Sequence, residues 1–187
     1  MTSVDRLWYL ADQACQRAEQ TYHRLRDGYD GFVEIERSER VSRDRFRTLA
    51  RRVKATGAPY GAHTIVYRPG DEVLLVRHDG VDLWVLPGGE VDDGESFREA
   101  ARRELDEEAG VSAQYEGLTT LTRVEVRCGG HTLWGVLPVF AARGPERDPA
   151  VDDPDGEISA ARWFDFGAIP ADTRDRGDLL AWHERRR

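Results

Sequence analysis

The chain has 187 residues, a net charge of −8, 40% hydrophobic residues and 9% aromatic residues, which suits one globular domain with a sizeable core plus an extension. No apolar run reaches membrane-spanning length, no cationic leader followed by an apolar segment opens the chain, and Cys15 and Cys128 are too few for a disulfide framework or a zinc cage. Membrane and secreted classes are therefore not expected, and a reducing cytoplasm is. Of the 27 basic residues only Lys54 is a lysine; an acidic, lysine-poor surface suits a high-salt cytoplasm, and GC-rich coding would produce the same bias.

The charge is uneven: residues 1–55 carry a net +3 and residues 56–187 a net −11. A mainly helical N-terminal extension, residues 1–57, is expected before a catalytic domain, residues 58–187. Val4, Leu7, Ala11, Ala14, Ala18, Tyr22 and Leu25 follow the spacing of one buried face and predict a helix from about Ser3 to Arg26. The segment from Asp27 to Gly31 breaks it, Phe32 to Glu36 reads as a short strand, and Ser42 can cap a second helix with Phe46, Leu49 and Val53 inward. Arg37 to Lys54 holds eight basic residues against Glu39 and Asp44. The preferred reading is a solvated face that also balances the acidic remainder, with a docking surface for phosphates or RNA as the alternative. Nucleic acid is not the expected partner. Thr56 to Pro59 reads as a linker.

Ala62 to Tyr67 and Glu72 to His78 are apolar runs across the turn signal Pro69-Gly70-Asp71, and Leu83 to Leu86 is a further strand. Gly117 to Cys128 and His131 to Ala142 read as a hairpin closed by Gly129-Gly130, with one wet face because Arg123, Glu125 and Arg127 alternate with Val124 and Val126. Arg143 to Gly156 is a Pro/Asp-rich loop, Ser159 to Phe166 a strand, and Asp178 to Arg186 a closing helix.

The chemistry concentrates between Gly89 and Val111. Ser96 and Glu99 form a capping-box pattern, Phe97, Ala100, Ala101 and Leu105 supply an apolar stripe, and Gly110 suits a left-handed stop. On that helix Glu104, Glu107 and Glu108 stand at i, i+3 and i+4, within roughly 100° of arc. Like charges so close weaken a bare helix, so a cation should offset them, and hard oxygen ligands suit Mg²⁺ or Mn²⁺. Glu99 and Arg103, also i and i+4, are expected to form a supporting ion pair. The turn Leu86-Pro87-Gly88-Gly89 lets backbone approach a ligand closely.

Gly89, Glu95, Arg103, Glu104, Leu105, Glu107, Glu108, Gly110 and Val111 match all nine specified positions of the pattern G-x5-E-x7-R-E-U-x-E-E-x-G-U, where U is a bulky aliphatic. This segment resembles the Nudix box, over about an eighth of the chain. The preceding Leu-Trp-Val-Leu-Pro-Gly-Gly and the later Glu157 to Phe164 look similar to the family's flanking strands. The resemblance implies an α/β (α+β) fold, an α/β/α sandwich with a mixed β-sheet, and metal-dependent hydrolysis of a nucleoside diphosphate linked to another group. It also implies that Glu104, Glu107 and Glu108 hold Mg²⁺ or Mn²⁺, with the carbonyl of Gly88 or Gly89 completing the shell. In some members the glutamate matching Glu104 is instead proposed as general base, and its role stays open. Many members recruit a further carboxylate outside the box: Glu157 is the first candidate here, Asp153 and Asp155 the alternatives, a solvated acidic loop the bland reading. Arg103, Glu104 and Glu157 make up the expected catalytic group.

For the nucleotide, Trp84, Trp134 or Tyr67 could stack on a base, although tryptophan in a strand is more often core. Arg77 or Arg127 could grip a phosphate or ribose as a fork. The subfamily proline about sixteen residues after the box, associated with ADP-ribose hydrolases, is absent; Arg127 and Cys128 occupy that region. ADP-ribose or a similar nucleoside diphosphate derivative remains the leading expectation because an N-terminal extension often accompanies that group. A nucleoside triphosphate is next, followed by a non-catalytic nucleotide-sensing or RNA-binding regulator on the same scaffold. The helical extension could pair with a second subunit as a homodimer.

Overall fold

The structure, a computed structural model, describes residues 3–187, with side chains from residue 6 onward. Val4 of the expected helical stripe thus lies outside the described side chains. Among the described residues no helix is long and apolar enough to cross a membrane. The chain divides into two compact units, residues up to 62 with 118–138, and residues 63–117 with 139–187.

The first unit is built on two helices, α1 (Ser3–Gly28) and α2 (Arg43–Thr56). Along α1 the buried positions are Leu7, Ala11, Ala14, Ala18, Thr21 and Leu25. Tyr22 was expected in this stripe, but Thr21 takes the place. The Thr21 hydroxyl donates to the Thr56 carbonyl at 3.2 Å, which meets its hydrogen-bonding need inside the core, while the Tyr22 hydroxyl reaches out to Glu34 at 2.8 Å. Ser42 caps α2 by accepting from the Arg45 N–H at 3.2 Å. Gly57 closes it with a left-handed φ of 92° and an N–H bond to the Val53 carbonyl. Phe46, Leu49, Ala50 and Val53 are fully buried against the α1 stripe and against Val124, Val126 and Leu133. Each of the larger side chains contributes about 1.5–3 kcal/mol by leaving water.

Strand β1 (Val33–Arg40) continues past the expected end at Glu36. It runs parallel to part of β6 (Gln114–Cys128), from Val33 opposite Thr120 to Arg40 opposite Arg127, and that ladder holds the charged second half in line. Val124 and Val126 point inward and Arg123 and Arg127 outward, the alternation expected of that hairpin strand. Strand β7 (His131–Arg143) follows the Gly129-Gly130 turn.

The second unit carries the box. Strand β2 (Ala62–Arg68) runs parallel to the end of β7, from His63 opposite Val139 to Tyr67 opposite Arg143. Strand β3 (Glu72–His78) is antiparallel to β2 at its start, to β4 (Leu83–Val85) at its end, and to β8 (Ile158–Asp165) along its other edge. The two-residue strand β5 (Gly88–Gly89) joins β2. Parallel and antiparallel ladders together make a mixed sheet, and the class is α/β as expected. Helix α3 (Phe97–Ala109) follows the glycine turn, and α4 (Arg176–Arg186) closes the chain. Leu179 and Trp182 of α4 pack with Ile65, Val73, Leu75, Val139, Ala141, Phe166 and Ile169 in one core cluster.

Candidate active site

Local chemistry positions α3 closely. The Ser96 hydroxyl accepts from the Glu99 N–H at 3.2 Å, and the Glu99 carboxylate accepts from the Ser96 N–H at 2.8 Å, completing the capping box. Gly110 ends the helix at φ 59°. Phe97, Ala100, Ala101, Leu105 and Ala109 are buried, which turns Glu104 and Glu108 toward the glycine turn and leaves Glu107 beside Arg103. The Gly88 N–H donates to Glu108 at 2.8 Å. A Cβ on Gly89 would lie 2.7 Å from the Glu104 carboxylate, so only glycine admits that carboxylate against the turn.

Arg103 sits among the acids. Its guanidinium bonds both oxygens of Glu95, at 2.9 and 3.0 Å, shares one nitrogen between Glu104 at 2.9 Å and Glu107 at 3.2 Å, and reaches the Glu90 carbonyl at 2.9 Å. The expected Glu99–Arg103 pair is therefore corrected. Glu99 is consumed by the helix cap, and Arg103 turns to the ligand face and to Glu95. Its pKa rises above the usual value, chiefly through Glu95, while Glu95 is held below the usual carboxylate range chiefly by Arg103.

One arginine does not neutralise the face. Glu108 is buried, and loss of water raises its carboxyl to about 8, with the charges of Glu104, Asp153 and Glu157 adding to the rise and the Gly88 N–H opposing it. Burial also raises Glu104, against the pull of Arg103. These are carboxylates short of positive charge. Among the described residues no three acidic, histidine or cysteine side chains already converge as an ion cage. The reason is visible in the bonds: Arg103 stands between Glu104 and Glu107, and Glu108 is turned to Gly88. The donor set still fits a hard divalent cation, being carboxylate and carbonyl oxygen beside a glycine turn with no Cβ in the way.

The acidic loop after β7 is tied to the same helix. The Ala150 N–H donates to the Ala109 carbonyl at 2.8 Å and the Asp152 N–H to the Glu107 carbonyl at 3.2 Å. Asp153 accepts from the N–H groups of Asp155, Glu157 and Ile158, at 3.1, 2.6 and 2.8 Å, and so braces the loop. The Glu157 carboxylate stands 3.4 Å from His78 Nε2.

The nucleotide-contact candidates fall in different surroundings. Trp84 meets Phe164 edge-on, with ring centroids 4.9 Å apart, and the guanidinium groups of Arg77 and Arg162 each stand 5.9 Å from the centre of its ring. The Arg77 fork is already bonded to Asp172, at 2.5 Å, and to Asp82. Arg127 belongs to the first unit, where it bonds Glu125 at 2.5 Å. Trp134 is also in that unit, with the Arg123 guanidinium 3.9 Å above its ring. Tyr67 bonds Glu116 and Arg186.

Two further polar groups in the second unit were not singled out from sequence. His63 Nδ1 and Thr173 Oγ1 are buried without a hydrogen-bond partner among the described residues. Burial, aided by the charge of Arg174, lowers His63 to about 4, so its imidazole is neutral at pH 7. The one available signal was a histidine in a strand whose neighbours Ala62, Ile65 and Val66 are apolar.

Comparison with known proteins bears on the family and the fold. The sequence profile of the NUDIX domain matches residues 58–183. An oxidized purine nucleoside triphosphate hydrolase from Danio rerio is 31% identical over 118 residues, 62% of this chain and 72% of that protein. A Bacillus subtilis (strain 168) protein provisionally named an 8-oxo-dGTP diphosphatase is 53% identical over 53 residues, 28% of this chain; the match spans only 36% of that protein's length. In fold, the NUDIX domain of Shewanella oneidensis NrtR, solved in complex with ADP ribose, superposes with a TM-score of 0.54 at 21% identity, covering 67% of this chain and 85% of that one. The chain belongs to the Nudix hydrolase family.

Proposed function

We propose that the chain hydrolyses a phosphoanhydride bond of a nucleotide with Mg²⁺ or Mn²⁺, at the face formed by Glu104, Glu107 and Glu108 and the carbonyls of Gly88 and Gly89. The observation that carries this is Glu108, a buried carboxyl raised to about 8 beside a second raised carboxyl, Glu104. A face so short of cations, opening on a glycine turn, suits an ion that will itself hold phosphate oxygens. When bound, a divalent ion supplies neutralisation of the diphosphate and acidifies the attacking water. Arg103 positions Glu104 and Glu107 through its shared nitrogen. Glu157, near His78 and not consumed in bracing its loop, is the leading general base, with Glu104 the alternative. Trp84 and Arg77 remain candidates for contact with the nucleoside. The catalytic domain is taken as residues 58–187, residues 1–57 as its extension, and the cytoplasm as its working place.

Among substrates, a purine nucleoside triphosphate has support from the named activity of the Danio rerio relative. ADP ribose is the second reading, supported by the ligand of the Shewanella oneidensis domain. Incubating the chain with both substrates and Mg²⁺ or Mn²⁺, and resolving the products by chromatography, decides between them. Nucleoside monophosphate plus pyrophosphate is the expected outcome; AMP plus ribose 5-phosphate would select the second reading. Absence of metal-dependent product from any nucleotide would overturn the hydrolase reading.

A further inference from the structure

The basic run of the extension has no role in the chemistry above. On α2, Arg43, Arg47, Arg51 and Lys54 fall within about 80° of arc and along about 16 Å of helix. Arg45 and Arg52 add to a helix whose only acidic residue is Asp44. Neighbouring cations at i, i+3 and i+4 weaken the helix that carries them. A face that merely balanced the acidic remainder of the protein would spend its cations on carboxylates. Arg47 does so, with Asp44 at 3.2 Å. Arg43, Arg51 and Lys54 have no ion-pair partner among the described residues.

We propose that this strip is a docking surface for the phosphate backbone of a nucleic-acid strand. An anionic membrane fits less well. A helix that lies in a membrane surface needs a free apolar face, whereas Phe46, Leu49, Ala50 and Val53 are fully buried in the unit's own core. The net charge of −8 does not forbid the contact, because charges beyond about 8–10 Å are largely screened at physiological ionic strength. Regularly spaced cations on a rigid helix suit regularly spaced phosphates and read no sequence. The inference stands independently of the hydrolase reading.

The test uses the full chain and a fluorescein-labelled single-stranded RNA of about twelve nucleotides, with a DNA of equal length beside it, followed by fluorescence anisotropy. Each neutralised phosphate contributes about −0.7 to the slope of log affinity against log salt. Three contacts, from Arg43, Arg51 and Lys54, therefore weaken binding about twenty-fold between about 50 and about 200 mM salt. The exposed triple variant Arg43→Gln, Arg51→Gln, Lys54→Gln keeps good helix formers at each position and should lower the slope by about 2. Metal-dependent nucleotide turnover should be unchanged, with circular dichroism reporting an intact fold. RNA and DNA are expected to bind alike. No binding of either strand, or an unaltered slope in the variant, overturns the proposal. So does association of the parent chain with phosphatidylserine vesicles, or a salt-sensitive self-association, in place of strand binding.

Discussion

Glu108 is where burial and charge conflict most sharply. Its carboxyl titrates near 8 when folded and near 4.5 when exposed. Between those values the folded chain holds a proton that the unfolded chain has released. The associated stability is fully present below pH 4.5 and is lost as pH rises through 8. Glu108→Gln keeps an oxygen to accept from Gly88 and removes the titration. Without divalent ions, the variant should be more stable than the parent at pH 8, by on the order of 1–3 kcal/mol, with the gap closing toward pH 4.5. With Mg²⁺ it should lose several orders of magnitude of turnover. Urea unfolding at the two pH values checks the first claim, and parallel pH dependences in the two proteins would refute it. The cap of α3 was legible at this scale because Ser96, Glu99 and Gly110 act within one or two turns of themselves. The partner of Arg103 was not, because Glu99 had two possible uses and the helix cap took it. Equally, Thr21 reads as polar until its partner, 35 residues away, is known.

Between elements, what matters is how near two backbones can come. Helix α2 ends at Gly57, whose φ is 92° and whose added Cβ would fall 2.2 Å from Thr21 Oγ1 on α1. Gly57→Ala should therefore be costly twice over, through left-handed strain and through displacement of Thr21 from the Thr56 carbonyl. A loss of about 2–4 kcal/mol is expected, measured by thermal or urea unfolding. A loss under about 0.5 kcal/mol would mean that the two helices part without penalty. The α1 and α2 helices were readable because apolar residues recur every three or four positions. The full reach of β1 was not, because Arg37 to Arg40 carry no apolar alternation and are held by a parallel partner more than eighty residues further on. His63 and Thr173 escaped for a related reason: a buried atom without a partner is a property of surroundings, invisible in a strand's own pattern.

The molecule as a whole is acidic, yet its charge has two separable consequences. Net repulsion among surface acids weakens with any salt. On the proposed reading the carboxylates around Glu108 hold a divalent cation at one place, where a monovalent salt would serve poorly. At equal ionic strength, about 5 mM Mg²⁺ should raise the melting temperature more than KCl does, because an ion that binds only the folded chain adds stability by mass action. The excess should be larger at pH 8 than at pH 5, since below pH 8 the Glu108 proton competes with the ion. Glu108→Gln should lose most of the Mg²⁺ excess while keeping the KCl response. Calorimetric scans of both proteins in matched salts separate the two effects. Identical shifts with KCl and Mg²⁺ at pH 8 would mean that the acidic face is screened as a surface and holds no ion of its own.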